Sequence, residues 1–288
     1  MIPPDFANEI IDLLRPRSVI RGAGVQTVPM PRGTLTLPKQ TAGATASYVG
    51  ENQDITKTQL TGGQIVMSAK KLAALVPISN DLLTIDVGDS ADAMVRNDLV
   101  RQLATREDQA FLRDDGTQNT PKGLRYWAKT TTASSGTGAA QIEADLVGLI
   151  QNLEGADIAM SNPVWIMSPR SKNSLINLRD ANGNLVFPEI RNAMPTLFTF
   201  PVFVTNNVPT NLGGGGNESE VYLADMDEVL LGETGGLEIT ADSSASYLDG
   251  GTLVSAFSQD QTVIRAIMRH DLAVRYDEAV TVLTGVQW

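Results

Sequence analysis

Apolar residues recur at spacings of three and four between Asp89 and Arg113: Ala91, Met94, Val95, Leu99, Leu103, Ala110 and Phe111. That period predicts a single amphipathic helix with one buried stripe. At about 1.5 Å per residue, 25 residues reach roughly 37 Å, which is long for a small domain. Asp92 with Arg96, and Asp98 with Arg101, are spaced for ion pairs on its exposed side. Asp86, Asp89 and Asp92 favour its positive N-terminal end, and Asp114-Asp115-Gly116 stops it.

Elsewhere the period is two, or the apolar runs are short. From Val263 to Arg275, Ile264, Ala266, Met268, His270, Leu272 and Val274 share one face, with Arg265, Arg269, Asp271 and Arg275 largely on the other. This predicts a long, half-buried strand. Residues 65–79 read as one strand entering a compact region. Val164–Met167, Val202–Val204, Val221–Leu223, Val229–Leu231 and Leu237–Ile239 read as shorter strands. Helices are expected over 142–153, with Ile142, Leu146, Leu149, Ile150 and Leu153 on one face, and over 170–178. Asn182-Gly183 marks a turn, Gly213–Gly216 a flexible loop, and 129–141 a polar linker.

The run from Val25 to Gln64 has no helical period and is broken by Pro29, Pro31, Pro38, Gly43, Gly50, Gly62 and Gly63. It has too few apolar residues for a core of its own, so a long two-stranded β-arm is expected. Such a hairpin is marginal alone in water; a partner must cover it. A short helix, Phe6 to Leu14, precedes it and ends before Pro16.

With 288 residues the chain can bury a sizeable core, and 42% hydrophobic content excludes a disordered or fibrous protein. There is no cysteine, hence no disulfide and no thiolate metal site. No apolar run approaches the roughly 20 residues that span a bilayer, and Met1-Ile2-Pro3-Pro4-Asp5 lacks the features of a signal peptide. Cytoplasmic synthesis and no membrane partner are expected. The net charge is −11, from 33 acidic and 22 scattered basic residues. That argues against a surface that grips nucleic acid. Asp98, Glu107 and Asp108, interleaved among the arginines of the long helix, read as solvent-facing contributors to this balance.

Candidate chemistry is sparse. His270, the sole histidine, lies on the apolar face of a strand, and no G-x-S-x-G turn exists to supply a nucleophile. It reads as a sheet histidine. Gly213–Gly216 lacks the lysine and helix of a phosphate loop. Asp225, Asp227 and Glu228 lack the remainder of a calcium loop and read as a strand-ending turn. No catalytic, cofactor-binding or metal-ligating residue is assigned.

The order of elements resembles the major capsid protein fold of tailed phages, the HK-ninety-seven type. Asn8 to Ser18 is similar to that family's N-arm, and residues 31–66, with Tyr48-Val49-Gly50-Glu51 and Asp54-Ile55-Thr56, to its E-loop. Asp89 to Arg113 resembles its spine helix, and Asp115-Gly116-Thr117 with Pro121-Lys122-Gly123-Leu124 the turn after it. Trp165 to Arg170 and Asp180 to Gly183 resemble its axial domain, and Asp271 to Tyr276 with Ala279 to Val282 its final strands.

The resemblance implies an α+β fold, divided into an N-terminal arm (1–30), an E-loop (31–66) and a peripheral domain (67–128, spine helix 89–113). An axial domain (129–251), peripheral return strands (252–275) and a C-terminal axial strand (276–288) follow. It further implies a non-enzymatic shell subunit forming hexamers and pentamers of an icosahedral head around double-stranded DNA. Portal protein, scaffolding protein and maturation protease are the implied partners, and virions assembled in the host cytoplasm the implied location. The type member's lysine–asparagine isopeptide bond is not implied, because Gly50, Thr262 and Arg269 stand at the lysine, asparagine and assisting glutamate positions. The arm begins almost at Met1, so a scaffolding segment is absent, removed or a separate protein. Two alternatives are an encapsulin nanocompartment of the same fold and a hydrolase built on His270.

Overall fold

The computed structural model describes residues 18–42, 48–51, 53, 54, 57, 61–81 and 90–288. The expected helix from Phe6 to Leu14 lies outside them, as do Asp86, Asp89 and the side chain of Asp92. In chain order, α1 (Val19–Gly22) leads to strand β1 (Gln26–Pro29), then β2 (Thr34–Ala42), β3 (Thr61–Ser68) and β4 (Lys70–Ser79). Helix α2 (Ser90–Arg113) and the single turn α3 (Leu124–Trp127) follow. Next come β5 (Thr130–Ala133), α4 (Ala139–Glu154), β6 (Pro163–Met167) and α5 (Pro169–Asn177). The remaining strands are β7 (Thr196–Leu197), β8 (Phe200–Val204), β9 (Ser219–Asp225), β10 (Val229–Glu233), β11 (Glu238–Asp242), β12 (Ser246–Asp249), β13 (Thr252–Ser255), β14 (Gln261–Val274) and β15 (Val280–Val286).

These elements make an α+β fold of two main sheets and two free hairpins. One sheet has six strands in the order β5-β15-β9-β6-β8-β7; the other has five, β1-β10-β14-β11, with β4 also pairing β14. In the six-stranded sheet, β6 and β9 are buried on both faces. Trp165, Met167, Val221 and Leu223 face α4 and α5, meeting Ile142, Leu146, Leu149 and Leu175. Val164, Ile166, Tyr222 and Ala224 face the other way, into a core shared with Ile20, Phe111, Leu112, Leu124 and Leu272. That second core joins the two sheets.

Helix α2 lies across the five-stranded sheet. Val100, Leu103 and Ala104 pack on Leu237, Ala266 and Met268, and Leu99 on Ile78 and Ile264. Its last turn then enters the shared core through Phe111 and Leu112. Asp98 and Arg101 are both exposed, and the ion pair expected between them does not form among the described residues. Glycine at 123 is required where the chain doubles back on α2: a Cβ there would lie 2.6 Å from Arg113 N and 2.7 Å from Ala110 O.

Several expectations are corrected. Residues 65–79 are two strands, broken at Ala69, whose N–H donates to Gly33 O at 2.8 Å while Ser68 N–H donates to Asp271 at 2.7 Å. The polar linker contains β5, whose residues Thr130–Ala133 pair in parallel with Thr281–Thr284 of β15. Strand β14 is half-buried only in its first part; Ile267, Asp271 and Ala273 are buried as well as the predicted apolar face. Apart from these corrections, the strands between 129 and Asp225 lie in the six-stranded sheet, and β10 and β11 lie in the five-stranded one.

Candidate functional site

The long arm forms as a hairpin of β2 and β3, registered from Thr34↔Ser68 to Ala42↔Thr61 and paired with neither main sheet. Its nine-residue outgoing strand spans about 30 Å. Among the described residues its apolar packing is confined to the base. Ile65 and Met67 are buried there with Met30, Leu230 and Ala273, and Leu35 and Leu37 lean on the same cluster. Beyond this, Lys39 reaches Asp277 at 3.2 Å and lies over the Tyr276 ring at 5.9 Å. Val66, 57% exposed, faces away from any described partner. The base is pinned by Asp271, 7% exposed, which accepts from both Ser68 N–H and Leu272 N–H.

A second feature is a buried charge clasp where α1 crosses α2. Glu107 and Asp108, expected on the surface, are both 0% exposed. Asp108 caps α1: its carboxylate accepts from Ser18 Oγ (2.7 Å), Val19 N–H (2.9 Å) and Ile20 N–H (3.4 Å), and also from Asn207 Nδ2 (3.2 Å). Glu107 takes Arg21 in a fork, with Nη2 at 2.6 Å and Nε at 3.0 Å from one oxygen and 3.1 Å from the other. The other end of that guanidinium meets Glu233 of β10 at 2.6 Å. Burial works against the charge on Arg21, yet the two carboxylates hold its guanidinium above its ordinary range. Burial pushes both Glu107 and Asp108 upward, opposed by Arg21 in the first case and by the donors of α1 in the second. Five chain segments meet here: the end of the N-terminal segment, the spine-like helix, β10, the loop at Asn207 and β14, which carries His270.

His270 belongs to the same cluster. It is 2% exposed, packs edge-on to Phe111 at 4.8 Å, and has Nδ1 3.5 Å from Glu107 Oε1 without a bonded partner. Burial, reinforced by Arg21, lowers its pKa to about 4. It is therefore a neutral sheet histidine at pH 7, as its place on the strand predicts. Asp225 is buried and uses its carboxylate on the N–H groups of Ser161, Asn162 and Asp227. Glu228 instead faces Arg275 at 3.9 Å. Among the described residues no group of three acidic or histidine side chains could hold a metal. Gly213–Gly216 is a turn closed by the Leu212↔Glu218 bridge. Thr262 and Arg269 lie on β14, and Gly50 is an exposed residue of the arm.

A third polar junction was invisible in the sequence. Glu220, 2% exposed, receives Arg113 and Arg125, each at 3.2 Å, and the Tyr222 hydroxyl at 2.6 Å. It ties the end of α2 to the six-stranded sheet.

A family model described as the phage capsid family matches residues 1–285. The chain is 38% identical, over 99% of its length and 68% of the other protein's, to the major capsid protein of Klebsiella oxytoca phage phiKO2. It is 26% identical to the capsid polyprotein of Pseudomonas phage PAJU2, of which it spans 44% with 97% of its own length. Among solved structures, the capsid of a native GTA particle superposes with a TM-score of 0.75 at 16% identity, covering 94% of this chain and 90% of that one. Mycobacterium phage Adephagia gives 0.72 at 17% identity, covering 92% and 89%. These likenesses in fold and sequence favour the phage shell over the nanocompartment and the hydrolase, and on the whole-chain match the protein belongs to the phage capsid family.

Proposed function

We propose that this chain assembles as hexamers and pentamers into an icosahedral phage head around double-stranded DNA, with each β2–β3 arm lying over a neighbouring copy. The phage capsid family is structural rather than catalytic, and its members are parts of the virion. The observation that carries the arm's role is its isolation. Among the described residues the hairpin is buried only at its base, and a two-stranded hairpin is marginal alone in water, so the arm calls for a surface from outside its own subunit. In this reading the N-terminal arm is 1–30 and the E-loop 31–66. The peripheral domain is α2 with the five-stranded sheet, and the axial domain is the six-stranded sheet with α4, α5 and β15.

Portal protein, scaffolding protein and maturation protease are the proposed partners; a relative named as a capsid polyprotein supports the last. Negative-stain microscopy of the purified chain tests the assembly. Closed, uniform shells are expected. Only soluble monomers or open aggregates, under conditions where the chain is folded and concentrated, would reject it.

A further inference from the structure

The turn at Asn182-Gly183 carries a chemistry that a shell function does not use. Residues 179–184 are all exposed, in a loop closed by the bridge between Arg179 and Leu185. Asp180 organises that loop. One of its oxygens accepts from Asn182 N–H at 2.9 Å and from Asn184 N–H at 2.8 Å, and the other from Asn184 Nδ2 at 3.1 Å. Gly183, with φ of +83°, donates its N–H to Asp180 O at 3.1 Å and accepts from Arg179 Nη1 at 2.6 Å. The Asn182 carboxamide stands outside this network: among the described residues it has no hydrogen-bond partner. By contrast, the carboxamides of Asn162, Asn177, Asn184 and Asn207 all donate to an oxygen. Asn182 is also the one asparagine in the chain that glycine follows, so no side chain shields the next backbone nitrogen.

We propose that Asn182 is a self-modification site, which loses its side-chain amide without any enzyme. The Gly183 nitrogen attacks Asn182 Cγ. The N–Cγ bond forms, the Cγ–Nδ2 bond breaks, and ammonia leaves with the proton that the nitrogen gives up. Water then opens the five-membered imide. Addition at Cγ yields aspartate and addition at the main-chain carbonyl yields isoaspartate, with no change in oxidation state. Nucleophile and electrophile sit on adjacent residues, so the attack has the advantage of an intramolecular reaction. It must break one hydrogen bond, Gly183 N–H to Asp180 O, in an exposed turn of the kind that opens at small cost. The two Asp-Gly steps, at Asp115 and Asp249, can close the same ring with loss of water, but an ionised carboxylate is a far poorer electrophile than an amide. Asp115 is further pinned by Thr117 N–H at 2.9 Å and Thr117 Oγ1 at 2.7 Å. Isoaspartate inserts a main-chain carbon between the two N–H groups that Asp180 now holds and sets a new carboxylate beside it, so the product turn opens.

Peptide mapping by mass spectrometry tests this on the unaltered chain, aged for several weeks in mildly alkaline buffer at physiological temperature. A synthetic peptide of residues 178–186 and an Asn182→Gln chain are aged in parallel. Conversion at Asn182 is expected to exceed that at every other asparagine and at both Asp-Gly steps by at least tenfold, with isoaspartate as a major product. Ammonia release should fall at least severalfold in the Asn182→Gln chain, because glutamine would have to close a six-membered ring. An intact Asn182 in the folded chain would overturn the proposal, whether or not the peptide converts, because the folded turn would then forbid the attack. Conversion spread evenly over the asparagines would overturn it as well. Aspartate without isoaspartate would mean direct attack by water on the amide and would reject the imide route.

Discussion

Replacing Arg21 with alanine would strand the buried one of the two carboxylates that it joins. Glu107 is 0% exposed and cannot reach water without moving α1, whereas Glu233, 24% exposed, can turn to solvent. Removing one partner of a buried ion pair costs about 3–5 kcal/mol. With an unfolding entropy of roughly 2.1 cal/mol/K per residue, a chain of this length loses about 5–8 °C in Tm. The pH dependence provides a sharper check. Without Arg21, Glu107 keeps the burial that raises its pKa and loses the partner that lowers it. A carboxyl raised in the folded state destabilises wherever it must ionise. The variant's deficit is therefore full above the folded pKa and shrinks as pH falls toward the unfolded value, about 4.3. His270 acts in the same direction, because Arg21 is one of the causes that hold its pKa down. Denaturant unfolding of dissociated chains at pH 7.5 and 5.0 should show the gap between variant and wild type narrowing by at least about 1 kcal/mol. A variant within about 1 kcal/mol of wild type at pH 7.5, or a gap independent of pH, would refute the clasp.

Other expectations follow from the same geometry. His270 has a folded pKa of about 4 against 6.5; its contribution is present above pH 6.5 and lost as pH falls through 4, about 3 kcal/mol in all. His270→Gln should flatten the stability profile in that window. Joining Leu37 to Ile65, which are register partners, through Asn-Gly should leave a folded chain by circular dichroism that forms no normal closed shells. Mature shells should dissolve into single 30.8 kDa chains on denaturing gels, since Gly50 and Thr262 cannot form an isopeptide bond. A covalent ladder would contradict that. Asp108→Lys should abolish soluble, folded protein, by placing a cation against the N–H groups of α1, whereas exposed Asp98→Lys should change stability by no more than about 0.5 kcal/mol.

Much of the fold was legible because its elements obey simple periods. The stripe Leu99, Leu103, Ala110, Phe111 announced α2, and the alternation from Ile264 to Val274 announced β14. The arm was legible through what it lacked, a core. The clasp was misread because charge was taken as a sign of exposure. Yet Val100, Ala104, Glu107 and Phe111 are spaced by four, three and four, so Glu107 occupies a core position of the helix. An acid on an apolar stripe is a signal for a buried partner, and Arg21 lies more than eighty residues away. Strands β5 and β12 escaped for a different reason. Threonine runs and serine-rich segments resemble linkers until β15 or Gly250-Gly251 gives them a pairing partner. Glu220 was hidden for the same reason as the clasp, since its two arginines come from helix ends separated in sequence from β9.

The buried acids also change what the net charge means. Glu107, Asp108, Asp145, Glu220, Asp225 and Asp271 all lie in the interior. Six of the 33 acids therefore lie in the interior, and the net charge of −11 is not a measure of the surface. The composition alone invites the idea of an acidic wall that repels packaged DNA, but several of the acids join parts of the subunit instead. Asp108 holds the N-terminal segment to α2, Glu107 and Glu233 hold it to β10, Glu220 holds α2 to the six-stranded sheet, and Asp271 holds the arm's base to β14. Each acid sits where two parts of the subunit must keep a fixed relation. If the arm lies over a neighbour as proposed, any play at its root would be multiplied along about 30 Å of hairpin. The low affinity for duplex DNA expected of this chain then rests on basic residues that are few and scattered along the sequence rather than on repulsion by an acidic wall.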